Sequence, residues 1–275
     1  MKRCNSFNIN KKEIDFVQTL MCGQIFSYKQ FENKILVLSG DKQAEVFEFE
    51  NFYKITTDDI EYFKNFFDLK NDYEKIKQKL ILQGGEILAK AIEFGRGIRI
   101  LKQDLLEVIV SFVFSANNNI KRITASLFEL RNKYGTKLND NFSAFPTLKQ
   151  LGKINEIEFK KLGAGYRSAQ LVKLITQLEE LELKNLEKLD TEELRKKLIS
   201  LSGIGPKVAD CILLFGFARI DVFPVDTWIK KVFNLYYGKS DNINQIRKIL
   251  IDKFGELSGY AQQYLFYYQR SCLKV

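Results

Sequence analysis

The sequence predicts an α+β protein in which a small N-terminal antiparallel β domain, residues 1–85, precedes a mostly α-helical domain, residues 86–275. Two observations support this fold class. Before Thr57 the apolar residues recur with a period of two, which is typical of strands, and after Thr57 they recur with the period of a helix. The glycine pair Gly84 and Gly85 interrupts the chain where the second region begins, so we place the boundary near residue 85.

Four short runs in the N-terminal region have the composition of strands. They cover residues 24–31, 34–40, 43–50 and 52–57. The segment from Ser39 to Lys42 reads Ser-Gly-Asp-Lys, which is typical of a hairpin turn. Because the runs follow one another at short intervals, we expect one antiparallel sheet.

The rest of the chain reads as a succession of helices. Residues 104–116 are almost all apolar but too few to span a bilayer, so they predict a central core helix. The next helix begins near Ile120 and ends at Gly135. Three capping boxes mark further helix starts, and they are Thr147 with Gln150, Asn155 with Glu158, and Asp190 with Glu193.

Charge and cysteine content limit the possible functions. The net charge of +9 and the isoelectric point near 9.2 suit a polyanionic partner. The four cysteines, at positions 4, 22, 211 and 272, form no cluster and the chain has no histidine, which argues against zinc or iron–sulfur centres. Free thiols indicate a reducing compartment. Without a signal peptide or a membrane-length apolar run, we expect a soluble, intracellular monomer.

The segment from Leu201 to Trp228 combines turn chemistry with reactive side chains. Gly203 and Gly205 predict a tight hairpin, and Pro206 is suited to the first position of the following helix. Unpaired backbone N–H groups at the hairpin and at the helix start form an anion site that is reinforced by the helix dipole. A DNA phosphate fits such a site.

Lys207 and Asp226 are the candidate catalytic pair in this segment. Lys207 stands in the first turn of the helix, where the dipole disfavours an ammonium and favours the neutral, nucleophilic amine. Asp226 follows 19 residues later in Phe-Pro-Val-Asp, where it is the natural cap of the next helix. Each residue has a simpler explanation, since Lys207 could contact a phosphate and Asp226 could serve as a helix cap and nothing more.

Five local motifs, spread from residue 22 to residue 266, resemble those of one enzyme family. GIGPKVAD followed by FPVD resembles the helix-hairpin-helix superfamily of base-excision DNA glycosylases. Four further motifs resemble the 8-oxoguanine DNA glycosylase branch, namely CGQIF at residues 22–26, NNNIKR at 117–122, GYR at 165–167 and GYAQQYLF at 259–266. The resemblance implies a TBP-like N-terminal sheet and a helical catalytic domain.

The resemblance also implies a role for each matched residue. Lys207 would be the nucleophile and Asp226 the supporting carboxylate, while Gly203 and Gly205 would bind a phosphate. The extruded base would contact Gly23, Cys211, Gln262 and Phe266. The opposite base and the duplex would be held by Asn117, Arg122, Tyr166 and Arg167, with Tyr166 as the wedge.

The implied contact of Gly23 has a direct chemical reason. 8-Oxoguanine has a hydrogen on N7 where guanine has a lone pair, so a fixed carbonyl attracts the first base and repels the second. Simpler explanations stay open for the other residues. Cys211 and Phe266 could be core residues, Gln262 could be solvated, and Arg122 and Arg167 could bind phosphates generally.

Two positions depart from the familiar pattern. Trp228 stands where eukaryotic members carry a histidine, so that DNA contact does not transfer, and bulky Phe215 lies near the expected pocket. The chemistry needs no cofactor, although a monovalent cation on the hairpin carbonyls is left open. Two alternatives remain, which are a glycosylase for an oxidised pyrimidine or an alkylated purine, and a non-catalytic DNA-binding module.

Overall fold

A computed structural model describes residues 5–115, 118–139, 141–181 and 183–272. The N-terminal part is a five-stranded antiparallel sheet in the order β1-β5-β4-β3-β2. The strands are β1 Asn5–Asn10, β2 Tyr28–Gln30, β3 Ile35–Ser39, β4 Lys42–Glu48 and β5 Phe52–Thr57. The α+β prediction is confirmed.

The sheet differs from the prediction at its two edges. Strand β1 was not predicted, because half of the residues in Asn-Ser-Phe-Asn-Ile-Asn are asparagines, which are depleted in strands. It forms by pairing with β5, and its Ile9 is buried. The predicted run at 24–31 is a strand only from Tyr28, because the side chain of Gln24 bonds to other segments of backbone. Its Nε2 donates to the carbonyls of Thr19 (2.8 Å) and Arg99 (2.7 Å).

Fourteen α-helices are present in the described part of the chain. They are α1 Phe16–Met21, α2 Ile60–Phe66, α3 Tyr73–Phe94, α4 Leu105–Ser115, α5 Ile120–Tyr134, α6 Leu148–Leu151, α7 Glu156–Lys161, α8 Ser168–Glu180, α9 Leu183–Leu186, α10 Thr191–Ile199, α11 Pro206–Phe215, α12 Thr227–Tyr236, α13 Ile243–Phe254 and α14 Ser258–Cys272. All three predicted capping boxes are confirmed at α6, α7 and α10.

Two apolar clusters form the interior. The smaller one joins the inner face of the sheet to α1 and α2, and its aromatic members include Phe16, Phe63 and Phe67. The larger one contains the later helices and most of α4, which is buried almost throughout its length. Leu101, far along the chain, completes the smaller cluster. The boundary near residue 85 stays a prediction.

Helices α4, α5, α11, α12 and α14 converge where the functional residues lie. Helix α11 packs on α4 and α10, and α14 packs on α3 and α12. Helix α3 is interrupted at Gly85, where φ is +70°, and it continues in a new direction toward α14. In the described ranges, none of the helices combines the length and apolar character needed to cross a membrane.

Candidate active site

A glycine hairpin joins α10 to α11 as predicted. Gly203 has φ of +79°, a conformation that favours glycine, and a Cβ there would lie 3.2 Å from Val113 Cγ1. Gly205 is the N-cap of α11 and Pro206 occupies its first turn. A Cβ on Gly205 would meet nothing within 4 Å, so this side of the hairpin is open. The backbone N–H groups of Gly203 and Gly205 donate to no described residue, so they are available to an anion such as a phosphate.

Lys207, in the first turn of α11, lies in the wall of a cavity of about 660 Å³. The cavity is also lined by Gly23, Phe26, Phe112, Trp228, Phe266 and Arg270, among others. The Lys207 Nζ lies 5.4 Å from the centroid of the Phe112 ring. A volume of this size accommodates a flipped nucleobase.

Asp226 is the N-cap of α12, as the sequence predicted. Its Oδ1 accepts hydrogen bonds from the backbone N–H groups of Trp228 (3.0 Å) and Ile229 (2.9 Å). Burial raises the pKa of the Asp226 carboxyl above its ordinary value, while the Ile229 N–H and then the positive Lys207 act in the opposite direction. The two side chains therefore interact electrostatically, although no described carboxylate lies within 4 Å of the Lys207 Nζ.

Gly23 is held in a conformation that other residues rarely adopt. Its φ is +89°, and a Cβ would lie 2.8 Å from an Arg270 guanidinium nitrogen and 3.2 Å from Phe266 Cε1. Only glycine fits between the two side chains without displacing them. Gly23 and Phe266 are thus brought together in one wall of the cavity, as the resemblance implies.

Cys211 and Gln262 are not among the residues that line the cavity. Both are buried, with exposures of 4% and 5%. Gln262 is therefore not a solvated surface residue, and its Oε1 has no hydrogen-bond partner among the described residues. Burial raises the pKa of the Cys211 thiol to about 11 against the opposing charge of Lys207. Neither residue lines the cavity as it stands.

The described residues implied for the opposite base lie in two places, the first turn of α5 and the short segment between α7 and α8. Tyr166 is 69% exposed, as a wedge would have to be. The Arg167 guanidinium stacks on the Tyr166 ring at 4.3 Å and donates to its hydroxyl at 3.0 Å, and its Nε has no described partner. Arg122 is exposed, and its Nε lies 3.7 Å from the position of a Cβ on Gly163, so the start of α5 adjoins the segment that leads to Tyr166. Asn117 lies outside the described residues.

Trp228 and Phe215, the two residues that depart from the family pattern, lie in different places relative to the cavity. Trp228 lines the cavity, and Lys231 Nζ lies 4.8 Å from the centroid of its ring. Phe215 lies behind the cavity wall, where it stacks on Phe112 with centroids 5.6 Å apart and planes 12° apart. It supports the ring that faces Lys207 and does not itself line the cavity.

Sequence reasoning assigned no site role to several residues of the cavity wall. Phe112 was expected to be a core residue of the apolar run at 104–116, and Phe26 was noted only as the last residue of the CGQIF motif. Arg270 had a detectable signal, since it follows Gln262 and Phe266 at intervals of four residues on one face of α14. In the described ranges, no group of three or more His, Cys, Asp or Glu residues could hold a metal ion.

The family models match nearly the whole of the described chain. Residues 110–254 match the HhH-GPD superfamily base excision DNA repair protein, and residues 6–109 match the N-terminal domain of 8-oxoguanine DNA glycosylase. A probable N-glycosylase/DNA lyase of Methanothermobacter thermautotrophicus is 31% identical over 242 residues, which cover 79% of this chain and 76% of that protein.

Solved structures agree with these matches. The Clostridium acetobutylicum 8-oxoguanine glycosylase/lyase, in complex with double-stranded DNA containing cytosine opposite 8-oxoguanine, superposes with a TM-score of 0.92 at 34% identity. That match covers 99% of this chain and 98% of the other. The 3-methyladenine DNA glycosylase of Archaeoglobus fulgidus shares the fold, with a TM-score of 0.75 at 18% identity.

The fold and the cavity behind the hairpin thus define a helix-hairpin-helix base excision repair protein. Within that superfamily, the chain belongs to the 8-oxoguanine DNA glycosylase/lyase family.

Proposed function

We propose that this protein is a bifunctional DNA glycosylase and abasic-site lyase that excises 8-oxoguanine from duplex DNA, preferably opposite cytosine. One observation carries the proposal most directly. Lys207 lines a base-sized cavity with no described carboxylate within 4 Å, while Asp226 is near enough for each charge to act on the other. No ion pair with a described carboxylate therefore has to be broken before the Lys207 Nζ reaches the substrate.

The proposed reaction starts with the extruded nucleotide in the cavity. The neutral Lys207 amine attacks C1′ of the deoxyribose, and a bond from Nζ to C1′ forms as the bond from C1′ to the base breaks. The base leaves with the bonding electron pair and takes up a proton. Asp226 stabilises the positive charge that develops on the sugar during this step.

Strand cleavage follows from the same covalent intermediate. The sugar ring opens when the C1′–O4′ bond breaks, and a Schiff base forms between C1′ and the Lys207 nitrogen. Loss of a proton from C2′ then expels the 3′ phosphate by β-elimination. Every step uses the Lys207 amine, the Asp226 carboxylate and the substrate, so we expect no cofactor requirement.

DNA binding is supported by the surface around the cavity. The open amides at Gly203 and Gly205 are suited to a backbone phosphate, and the net charge of +9 supplies non-specific attraction. Tyr166 projects from its loop and Arg167 stacks beneath it, an arrangement suited to filling the gap left by a flipped base. Because one chain supplies all these residues, we propose that a monomer acts on DNA within the cell.

The decisive experiment is covalent trapping. With an oligonucleotide duplex containing 8-oxoguanine opposite cytosine, the wild-type protein should release the base, cut the strand and form a borohydride-trapped complex. Lys207→Gln should abolish all three. Lys196→Gln, an exposed lysine on neighbouring α10, is the matched control and should behave as wild type. Trapping by Lys207→Gln would refute the nucleophile.

The same assay separates the two alternatives. A duplex panel with 8-oxoguanine, an oxidised pyrimidine and an alkylated purine would identify another preferred lesion. A non-catalytic DNA-binding module would show salt-dependent binding and no product from any duplex. The electrostatic interaction of Lys207 with the half-buried Asp226 carboxyl has no explanation if the protein only binds DNA.

A further inference from the structure

The loop between α1 and β2 is attached to α14 by two side-chain hydrogen bonds. The Arg270 guanidinium donates to the carbonyl of Met21, and Gln263 Nε2 donates to the carbonyl of Cys22 at 3.1 Å. The next carbonyl along the chain, that of Gly23, accepts no hydrogen bond from any described residue. Since Gly23 lines the cavity, the loop presents one unused acceptor there.

The far end of the loop is attached to a different part of the molecule. The carbonyl of Gln24 accepts from Gln103 Nε2 at 2.8 Å, and the Gln24 side chain bonds to the backbone of Arg99 at 2.7 Å and of Leu101 at 2.9 Å. These contacts tie the loop to residues 99–103. They leave Arg270 and Gln263 as the described side chains that tie it to α14.

Arg270 is itself held in a defined position. Its Cζ lies 5.1 Å from the centroid of the Phe266 ring, so the guanidinium stacks along the aromatic side chain while it bonds to Met21. Gln262, Phe266 and Arg270 follow one another at intervals of one helical turn on α14. A base that contacts both Phe266 and the Gly23 carbonyl would touch α14 and the loop between α1 and β2. Arg270 fixes the spacing of these two elements.

We propose that Arg270, assisted by Gln263, is a positioning residue that fixes the Gly23 carbonyl relative to α14 and thereby sets the preference for 8-oxoguanine over guanine. The inference rests on the proposed function. The two bases differ at N7, where one carries a hydrogen and the other a lone pair, so discrimination depends on where the carbonyl oxygen is held. If the loop could shift, the carbonyl oxygen could move away from the N7 lone pair of guanine, and the preference for 8-oxoguanine would be lost.

The test measures DNA binding by the Lys207→Gln protein with and without Arg270→Met. Three duplexes are compared, containing 8-oxoguanine, guanine or a tetrahydrofuran abasic-site analogue opposite cytosine. We expect Arg270→Met to lower the ratio of the guanine to the 8-oxoguanine Kd by about tenfold. Affinity for the abasic analogue, which has no base to read, should stay unchanged.

Two outcomes would overturn the inference. Equal weakening on all three duplexes would make Arg270 a phosphate contact, and an unchanged ratio would leave it without a role in selectivity. If the protein that keeps Arg270 shows no preference for 8-oxoguanine, the proposed function fails and the inference fails with it. If only the protein with Arg270→Met loses the preference for 8-oxoguanine, the proposed function and the inference are both supported.

Two further variants complete the experiment. Gln263→Leu removes the second attachment and should lower the same ratio, which keeps the test valid should Arg270→Met fold poorly. Arg96→Met makes the same substitution at an exposed arginine that pairs with Glu93, away from the cavity lining. Arg96→Met should leave the ratio of the guanine Kd to the 8-oxoguanine Kd unchanged.

Discussion

The Nζ of Lys207 lies 5.4 Å from the centroid of the Phe112 ring. An aromatic face attracts a cation by about 0.5–1 kcal/mol at an exposed site. The ring therefore helps to hold the Lys207 side chain in the cavity wall. Asp226 acts on it from a distance beyond that of an ion pair.

The cap and the charge of Asp226 can be separated by mutation. Asn also caps helices, so Asp226→Asn should preserve the bonds to Trp228 and Ile229 and leave folding intact. Excision of 8-oxoguanine in single-turnover assays should fall by about a hundredfold or more, because the developing positive charge loses its partner. Asp226→Ala should lose activity and also about 1 kcal/mol of unfolding free energy. Wild-type excision by Asp226→Asn would remove the carboxylate from the mechanism.

The pH dependence of excision should reflect the same carboxyl. Burial raises the pKa of Asp226, and the proposed role requires the ionised form. Activity should therefore be present above that pKa and fall as the pH falls through it, beginning at a higher pH than for an exposed aspartate. Single-turnover rates from pH 4 to pH 8 would show this limb, and Asp226→Asn should lack it.

The described cysteines should differ sharply in reactivity. Burial raises the pKa of both Cys22 and Cys211 to about 11, whereas Cys272 is exposed. At pH 8 on the order of one molecule in a thousand carries either buried thiolate. Alkylation followed by peptide mapping should label Cys272 first, and Cys22 and Cys211 only after denaturation. Rapid labelling of Cys211 in the native protein would contradict its burial.

Helix α11 should depend for its stability on a buried carboxylate. Asp210 is 1% exposed and accepts from Arg195 Nε (2.8 Å) on α10 and from Arg247 Nε (3.0 Å) on α13. Asp210→Asn leaves the buried guanidinium of Arg247 and the partly buried one of Arg195 without this counter-charge, so the free energy of unfolding should fall by about 3 kcal/mol in urea titrations. Asp241→Asn, which removes an exposed carboxylate paired with Lys230, is the matched control and should leave the urea midpoint unchanged.

The sequence by itself determined the fold class, the glycine hairpin and the helix caps. These features depend on residues close together in the chain, such as the capping box of Asp190 with Glu193 or the cap at Asp226, whose hydrogen bonds span two or three residues. It also placed Lys207 at the start of α11, because Pro206 and the two glycines define that start.

Only the tertiary structure decided what surrounds these residues. Strand β1 is rich in asparagine and forms by pairing with β5. The paired residues are 42 positions apart at Asn10 and Phe52 and 52 positions apart at Asn5 and Thr57. Phe112 and Arg270 reach the cavity of Lys207 because α4 and α14 pack beside α11 and α12. The hydrogen bond from Arg270 to the carbonyl of Met21 joins residues 249 positions apart. Local sequence patterns carry no information on such contacts, because they depend on how distant apolar surfaces pack together.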